Sequence, residues 1–441
     1  MERGKGAGSQ PPASHHGRPP LTLRYPRLTL LVTLIVLVAL GIFGLNVGDK
    51  LKPTSLEIPG SDAAEANQLL EEHFGDSAPF AVLLQGPPKA LDRQGPRLIG
   101  AMREDPAVTT LSPWDRGRLG RLRPEPNTAL IIANFHVDVE EAVRETVPQL
   151  NATLEEEIRP PVEYTQTGFA TLSRAIQDES IAATHRGELI ALPILLIVLM
   201  LVFRSPIAAA VPLLCGGLVV FGSRGILSYL TGSMSIDGFA LVVCTMMGLA
   251  LGIDYALLMV SRFREEMRGG AKPLDAAWTT RRTSGRTVIF AASTLILSMA
   301  VAMLVLPGAL LVSLAGTVIM VTGLSALVAM LAGPAILILL GTRVDMWQIG
   351  GARTDDDRTG LMVVVNGALR NPALAAGFIA VFLILMAAPA IGLKTGPPSP
   401  EQLHQDNQAR LDTEKIEEVM GPGWDAPFTL VVAAENGPIT A

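Results

Sequence analysis

Seven stretches of this sequence are so apolar and so long that a lipid bilayer is their natural solvent. They are Leu28–Leu45, Arg186–Phe203, Ile207–Gly222, Gly238–Val260, Thr287–Leu306, Gly316–Leu340 and Ala373–Leu393. A helix of about 20 apolar residues crosses the roughly 30 Å of hydrocarbon in a bilayer. The third stretch is short, but Pro206 and the flanking residues can lengthen it at the interface. The expectation is a polytopic α-helical membrane protein. The first run follows a basic tail, as the core of a secretory signal would, yet its 18 residues exceed the usual span of about 7–15 for such a core. It reads as an uncleaved anchor.

Charge asymmetry gives the orientation. Residues 1–27, rich in Gly, Pro and Ser and read as a disordered tail, hold five Lys/Arg and one Glu. The loop "SRFREEMRGGAKPLDAAWTTRRTSGR", 261–286, holds seven Lys/Arg and three acids. Both belong in the cytoplasm by the positive-inside rule, and four crossings separate them, an even number.

The domains then follow: tail 1–27, first span 28–45, an extracytoplasmic domain 46–185, a bundle of spans two to six over 186–340, a cytoplasmic linker 341–372, and a seventh span 373–393. Within 46–185, "SDAAEANQLLEEHFG" reads as an amphipathic helix capped by Ser61 or Asp62. "PFAVLLQG" is a strand, "ALDRQGPRLIGAMRED" a helix, "AVTTLSPW" and "TALIIANFHV" strands, "VEEAVRETVPQLNATLEEEI" a helix that Pro148 interrupts, and "PVEYTQTG" a last strand. The order β-α-β-β-α-β predicts an α+β, ferredoxin-like domain.

The chain also begins to repeat. "YPRLTLLVTLIVLVALGIFGLNVGDKL" from Tyr25 resembles "NPALAAGFIAVFLILMAAPAIGLKTG" from Asn371, and "LLEEHFGDSAPFAVLLQGP" from Leu69 resembles "KIEEVMGPGWDAPFTLVVAAENGP" from Lys415. Gly44-Leu45 and Gly392-Leu393 are 348 positions apart, and so are Ala78-Pro79-Phe80 and Ala426-Pro427-Phe428. One six-span unit is followed by the opening of a second, with 394–441 as the start of a second outer domain. The expectation is a fragment of a protein of roughly 700 residues, twice the repeat.

Asp254 and Tyr255 lie side by side in the fourth span, in "LALGIDYALLMVSRF". Asp254 is eight residues before Arg262, so about 12 Å from the boundary that arginine marks. A carboxylate facing lipid there costs about 2.5–3.5 kcal/mol on the lenient insertion scale. The acid is therefore expected to face other helices, where desolvation favours its neutral form and proton or ion coupling becomes its natural use. It could instead bond the hydroxyls of Ser293, Thr294, Ser298, Thr317 or Thr322, or cap a helix break at Gly252. Residues 254 and 255 point about 100° apart, so they share a seam without having to touch. Gly248 and Gly252 form a G-x-x-x-G, expected to let another helix approach closely.

At these residues the sequence resembles a known family. "GLALGIDYALLMVSRFREEMRGG", 248–270, is similar to the fourth-span signature of MmpL-type transporters (the MMPL family) of the resistance-nodulation-division superfamily. "SLEIPGSDAAEANQLLEEHFG", "LIALPILLIVLMLVFRSPIAAAVPLL" and an outer loop of this size agree with it. The resemblance implies a multi-pass exporter of the bacterial plasma (inner) membrane, driven by the proton gradient. It implies an extracytoplasmic porter domain and a lipid or hydrophobic small-molecule cargo. It also implies an Asp-Tyr proton relay on the fourth span of each half, with Asp254 and Tyr255 as the first pair and the second beyond Ala441, in the missing C-terminal half. Membrane lipids and protons are the other expected partners, with homo-oligomers possible.

Other classes fit less well. There is no phosphate loop G-x-x-x-x-G-K-[ST], no H-E-x-x-H and no G-x-S-x-G, so an enzyme is not expected, nor a cofactor or metal. "TDDDR", 354–358, reads as a solvated linker. Cys215 and Cys244 lie in different apolar runs and read as buried free thiols. A net charge of −6 gives no reason to expect nucleic acid. Two readings compete with the exporter: a protein-export auxiliary with the same six-span unit, and a non-transporting lipid or sterol sensor.

Overall fold

The computed structural model describes residues 20–51, 60–62, 64–66, 69, 78–115, 122–137, 142–234, 236–306, 308–347, 367–392 and 399–421. Most of the N-terminal tail, residues 348–366 of the linker with "TDDDR", and the first strand expected of a second outer domain lie outside these residues. So does much of the helix read from 61 to 75, although Ser61 Oγ does accept the amide of Ala64 at 3.2 Å, as an N-cap would.

The elements, in chain order, are α1 (Pro26–Phe43), β1 (Ala78–Gln85), α2 (Pro88–Met102), β2 (Val108–Leu111), β3 (Thr128–Phe135), α3 (Val147–Glu157), β4 (Glu163–Gly168), α4 (Phe169–Phe203), α5 (Pro206–Leu230), α6 (Phe239–Arg268), α7 (Pro273–Val305), α8 (Ala309–Leu340), α9 (Pro372–Ala387) and α10 (Gln408–Met420). Five of the helices, α1, α2, α5, α7 and α9, begin on a proline, whose fixed φ suits the first turn and whose missing N–H is not needed there. Pro148 plays the same part in the first turn of α3. It therefore starts that helix after a π-helical turn at Ala142–Thr146, where the sequence suggested an interruption.

The four strands form one antiparallel sheet in the order β2-β3-β1-β4. The central pair is matched along its whole length, from Ala78 opposite Phe135 to Gln85 opposite Thr128. Because side chains alternate along a strand, Phe80, Val82 and Leu84 join Ile131 and Phe135 on one face. There they meet Leu91, Leu98 and Met102 of α2 and Leu150 and Leu154 of α3. Ala81 and Leu83 point the other way with Leu130. That face is covered by Leu122 and by Ile416, Val419 and Met420 of α10. Thr167 and Thr413 join β4 to α10 by a buried hydroxyl–hydroxyl bond of 2.6 Å, and Asn407 donates to Glu179 at 2.8 Å. The helix expected to open a second outer domain thus packs on the sheet of the first.

Among the described residues, seven helices are long and apolar enough to cross a membrane: α1, α4, α5, α6, α7, α8 with the short 3-10 turn after it, and α9 with its own. Each coincides with one of the seven apolar stretches of the sequence, but several reach further. β4 runs directly into α4, so the helix begins at Phe169 and not at Arg186. The basic loop 261–286 is largely helical, because α6 continues to Arg268 and α7 starts at Pro273. Polar helix ends of this kind are held by pairs such as Arg262 with Glu265 and Glu266, each at 2.5 Å, at the i,i+3 and i,i+4 spacings that face each other on a helix. Between α4 and α5 the chain turns in two residues: Arg204 takes a φ of 52°, and Ser205 caps α5 through Ala208. The apolar core of the bundle runs mainly through α5, α6 and α8, joined by Leu37 of α1, Leu199 and Phe203 of α4 and Ala276 and Ala277 of α7, whereas α9 buries no residue.

Candidate functional site in the membrane helices

α6 carries the Asp-Tyr pair and packs against α5, α7 and α8. It forms a continuous helix through Gly252, so that glycine marks no break. It marks a contact instead. A Cβ built at Gly252 would stand 2.7 Å from the Cα of Gly216 on α5, and one at Gly216 would stand 2.9 Å from Cγ1 of Ile253. Two backbones this close leave no room for a side chain. At Gly248 a Cβ would meet Val219 and Val220 at 3.4 Å, an ordinary contact. One glycine of the G-x-x-x-G is therefore strictly required, the other only convenient.

The Asp-Tyr pair divides between two environments. Tyr255 is 6% exposed and packs on Val288 and Ala292 of α7 and Ala329 of α8. Asp254, about 100° away on the helix, lies in an exposed stripe with Met246, Ala250 and Leu258. The carboxylate, expected to face other helices, faces none of this chain's described ones. The physical reason is that α5 occupies the Gly252 side of α6 and α7 and α8 the Tyr255 side, which leaves the 246-250-254-258 row uncovered. Three of the five hydroxyls that could have bonded the acid are used elsewhere. Thr294, Thr317 and Thr322 donate to the carbonyls of Phe290, Ser313 and Val318 in their own helices, at 2.6–2.9 Å. Among the described residues no hydrogen bond or ion pair reaches Asp254. Both cysteines are buried free thiols, and no group of three His, Cys, Asp or Glu side chains is placed to hold a metal among the described residues.

Sequence reasoning missed a polar knot at the end of α6 remote from the sheet. Arg264 is 5% exposed, donates from Nε to Asp345 at 2.6 Å, and stacks over Phe203 at 5.4 Å. Ser205 donates from Oγ to the carbonyl of Val344 at 2.8 Å. The knot ties the α4–α5 turn, α6 and the segment after α8 together. Its signal was present in "FRSP", a Ser before a proline that starts a helix, but the partner lies more than a hundred residues away.

Seven helices apolar and long enough to span a bilayer among the described residues, with an antiparallel sheet domain beside them, define a multi-pass membrane protein. Residues 59–360 match the model of the MMPL family, and the chain belongs to that family. It is 27% identical to the trehalose monomycolate exporter MmpL3 of Mycobacterium tuberculosis, across 94% of this chain and 48% of that protein. It is 33% identical to MmpL3 of Mycolicibacterium smegmatis across 58% of this chain and 28% of that one. Identity to the mycolic acid-containing lipids exporter MmpL11 of M. smegmatis is 26% across 93% and 44%. The chain spans about half the length of the curated relatives it matches across most of its own.

Proposed function

We propose that this chain supplies the first of two repeats of a proton-driven exporter of lipids or hydrophobic metabolites in a bacterial plasma membrane. Its N-terminus is cytoplasmic, and the sheet unit forms a ferredoxin-like porter domain outside. The names of the relatives, exporters of trehalose monomycolate and of mycolic acid-containing lipids, support a lipid cargo. The strand order β2-β3-β1-β4 with one helix after β1 and one after β3 supports the split βαβ reading of the domain.

The observation that carries the mechanism is the position of Asp254: a lone acid in an apolar, uncovered stripe of a spanning helix. Facing lipid, its charge is expensive. Against the second repeat, gaining and losing a proton would change how two helices pack. Tyr255, fixed between α7 and α8, supplies a hydroxyl one residue away and passes the displacement to those helices. The test is a reconstituted full-length protein with a labelled lipid and an imposed proton gradient. Export should follow the gradient and vanish in Asp254→Asn with insertion unchanged. Gradient-independent export, or an unaffected variant, would remove the mechanism, and secretion of pre-proteins in place of lipid would assign the chain to the protein-export auxiliaries.

A further inference from the structure

The bundle holds two cations without counter-ions at its other end, and the sequence pointed to neither. Arg224 lies in α5, six residues before its end at Leu230. Its nearest polar partner is a neutral one, Thr245 on α6, at 3.5 Å from Nη2. Its Nε is buried and has no partner. One turn further along α5, Ser228 accepts from Nζ of Lys50 at 2.9 Å, and the same ammonium sits 4.8 Å from the centre of the Phe43 ring. Among the described residues no carboxylate lies within ion-pair distance of Arg224 or Lys50. Both side chains are half-buried, so each keeps an open side.

We propose that Arg224 and Lys50 together bind the phosphate of an anionic membrane lipid at the end of the bundle that carries the sheet domain. The depth fits. The 25 residues of α5 span about 37 Å against about 30 Å of hydrocarbon, so Arg224, about 9 Å from the end of the helix, sits a few ångströms inside the boundary. The Arg224 guanidinium stands level with Thr245, six residues into α6, and Lys50, beside Ser228, lies about one helical turn, roughly 6 Å, further out. Tyr229, 71% exposed, stands at the same level, where aromatic side chains favour the headgroup layer. The chemistry fits as well. Two cations about one helical turn apart, each with an open side, complement a phosphodiester with a net negative charge, as basic pockets between spanning helices do elsewhere. A simple snorkelling arginine would leave its whole head exposed; here Nε is enclosed.

Mass spectrometry of the full chain, released from phosphatidylcholine nanodiscs containing a small fraction of phosphatidylglycerol, tests this. Phosphatidylglycerol should be retained in preference to phosphatidylcholine. Arg224→Gln should lower that retention about tenfold, the scale of one charge-assisted hydrogen bond. Lys50→Gln should lower it less, and Lys272→Gln, at the opposite end, should leave it unchanged. Arg224→Lys keeps the charge and should hold most of the binding, which guards against a misfolded glutamine variant. Equal retention in Arg224→Gln and the parent would overturn the proposal. Displacement of the lipid by millimolar inorganic phosphate would overturn the lipid as the source, and a carboxylate of the second repeat pairing with Arg224 in the full-length protein would replace it.

Discussion

The sheet domain and the helix bundle close their surfaces differently. In the sheet both faces are covered by helices of this chain, α2 and α3 on one and α10 on the other. In the bundle, α6 is covered on two sides and open on a third. Water forces the first arrangement, because every apolar strand residue left bare would cost stabilisation. Lipid does not force the second, since hydrocarbon covers Met246 or Leu258 as well as a neighbouring helix does. Apolar exposure therefore says nothing about function in the bundle, and the polar exception, Asp254, says a great deal.

The largest effect expected from this contrast is functional. Asp254→Asn should abolish gradient-driven export in the full-length protein while leaving the thermal unfolding of this chain unchanged, because the carboxylate bonds nothing here. If unfolding shifts too, the acid is structural and the contrast fails. Next comes Ile416→Ala, which should cost about 2–5 kcal/mol locally, the usual scale for a buried aliphatic truncation. Hydrogen exchange should then rise in β1, β3 and α10 but not in α5 or α6. In the bundle, Gly252→Val should cost about 1–3 kcal/mol or more by overpacking, because its Cβ meets backbone that cannot rotate away. Gly248→Ala should be close to neutral, and unfolding in detergent compares the two.

The smallest effect concerns pH. Burial pushes the carboxyl of Asp412 above the usual aspartate range, against opposing hydrogen bonds from Gln408 and the backbone of Gln166. A raised folded value means that α10 docks best below the unfolded value and loses that advantage as pH rises through the folded one. Asp412→Asn should flatten the dependence, read as exchange protection of α10 across the acid range.

How much of this the sequence disclosed follows from the same physics. Hydropathy located all seven spans, because length and apolarity are local. It misplaced their ends, since polar turns such as 169–185 extend a helix beyond the hydrocarbon without any apolar signal. The succession of strands and helices along the outer domain was legible from alternation and turn residues. The docking of α10 on that sheet was not, because it joins Thr413 to Thr167 across 246 positions. The same holds for the partner of Arg264. The pair Asp254 and Tyr255 was found by residue type, but which of them is enclosed depends on where α7 and α8 pack, through Val288, Ala292 and Ala329.

The junction at Gly168 has a mechanical consequence. No linker separates the last strand from a rod of 35 residues, about 52 Å long. Such a rod is a lever: when its membrane portion rolls, the edge of the sheet must swing with it, and the amplitude grows with distance from the pivot. Under the proposed coupling, work done by protons near the middle of the bilayer would in this way reappear as displacement well outside it.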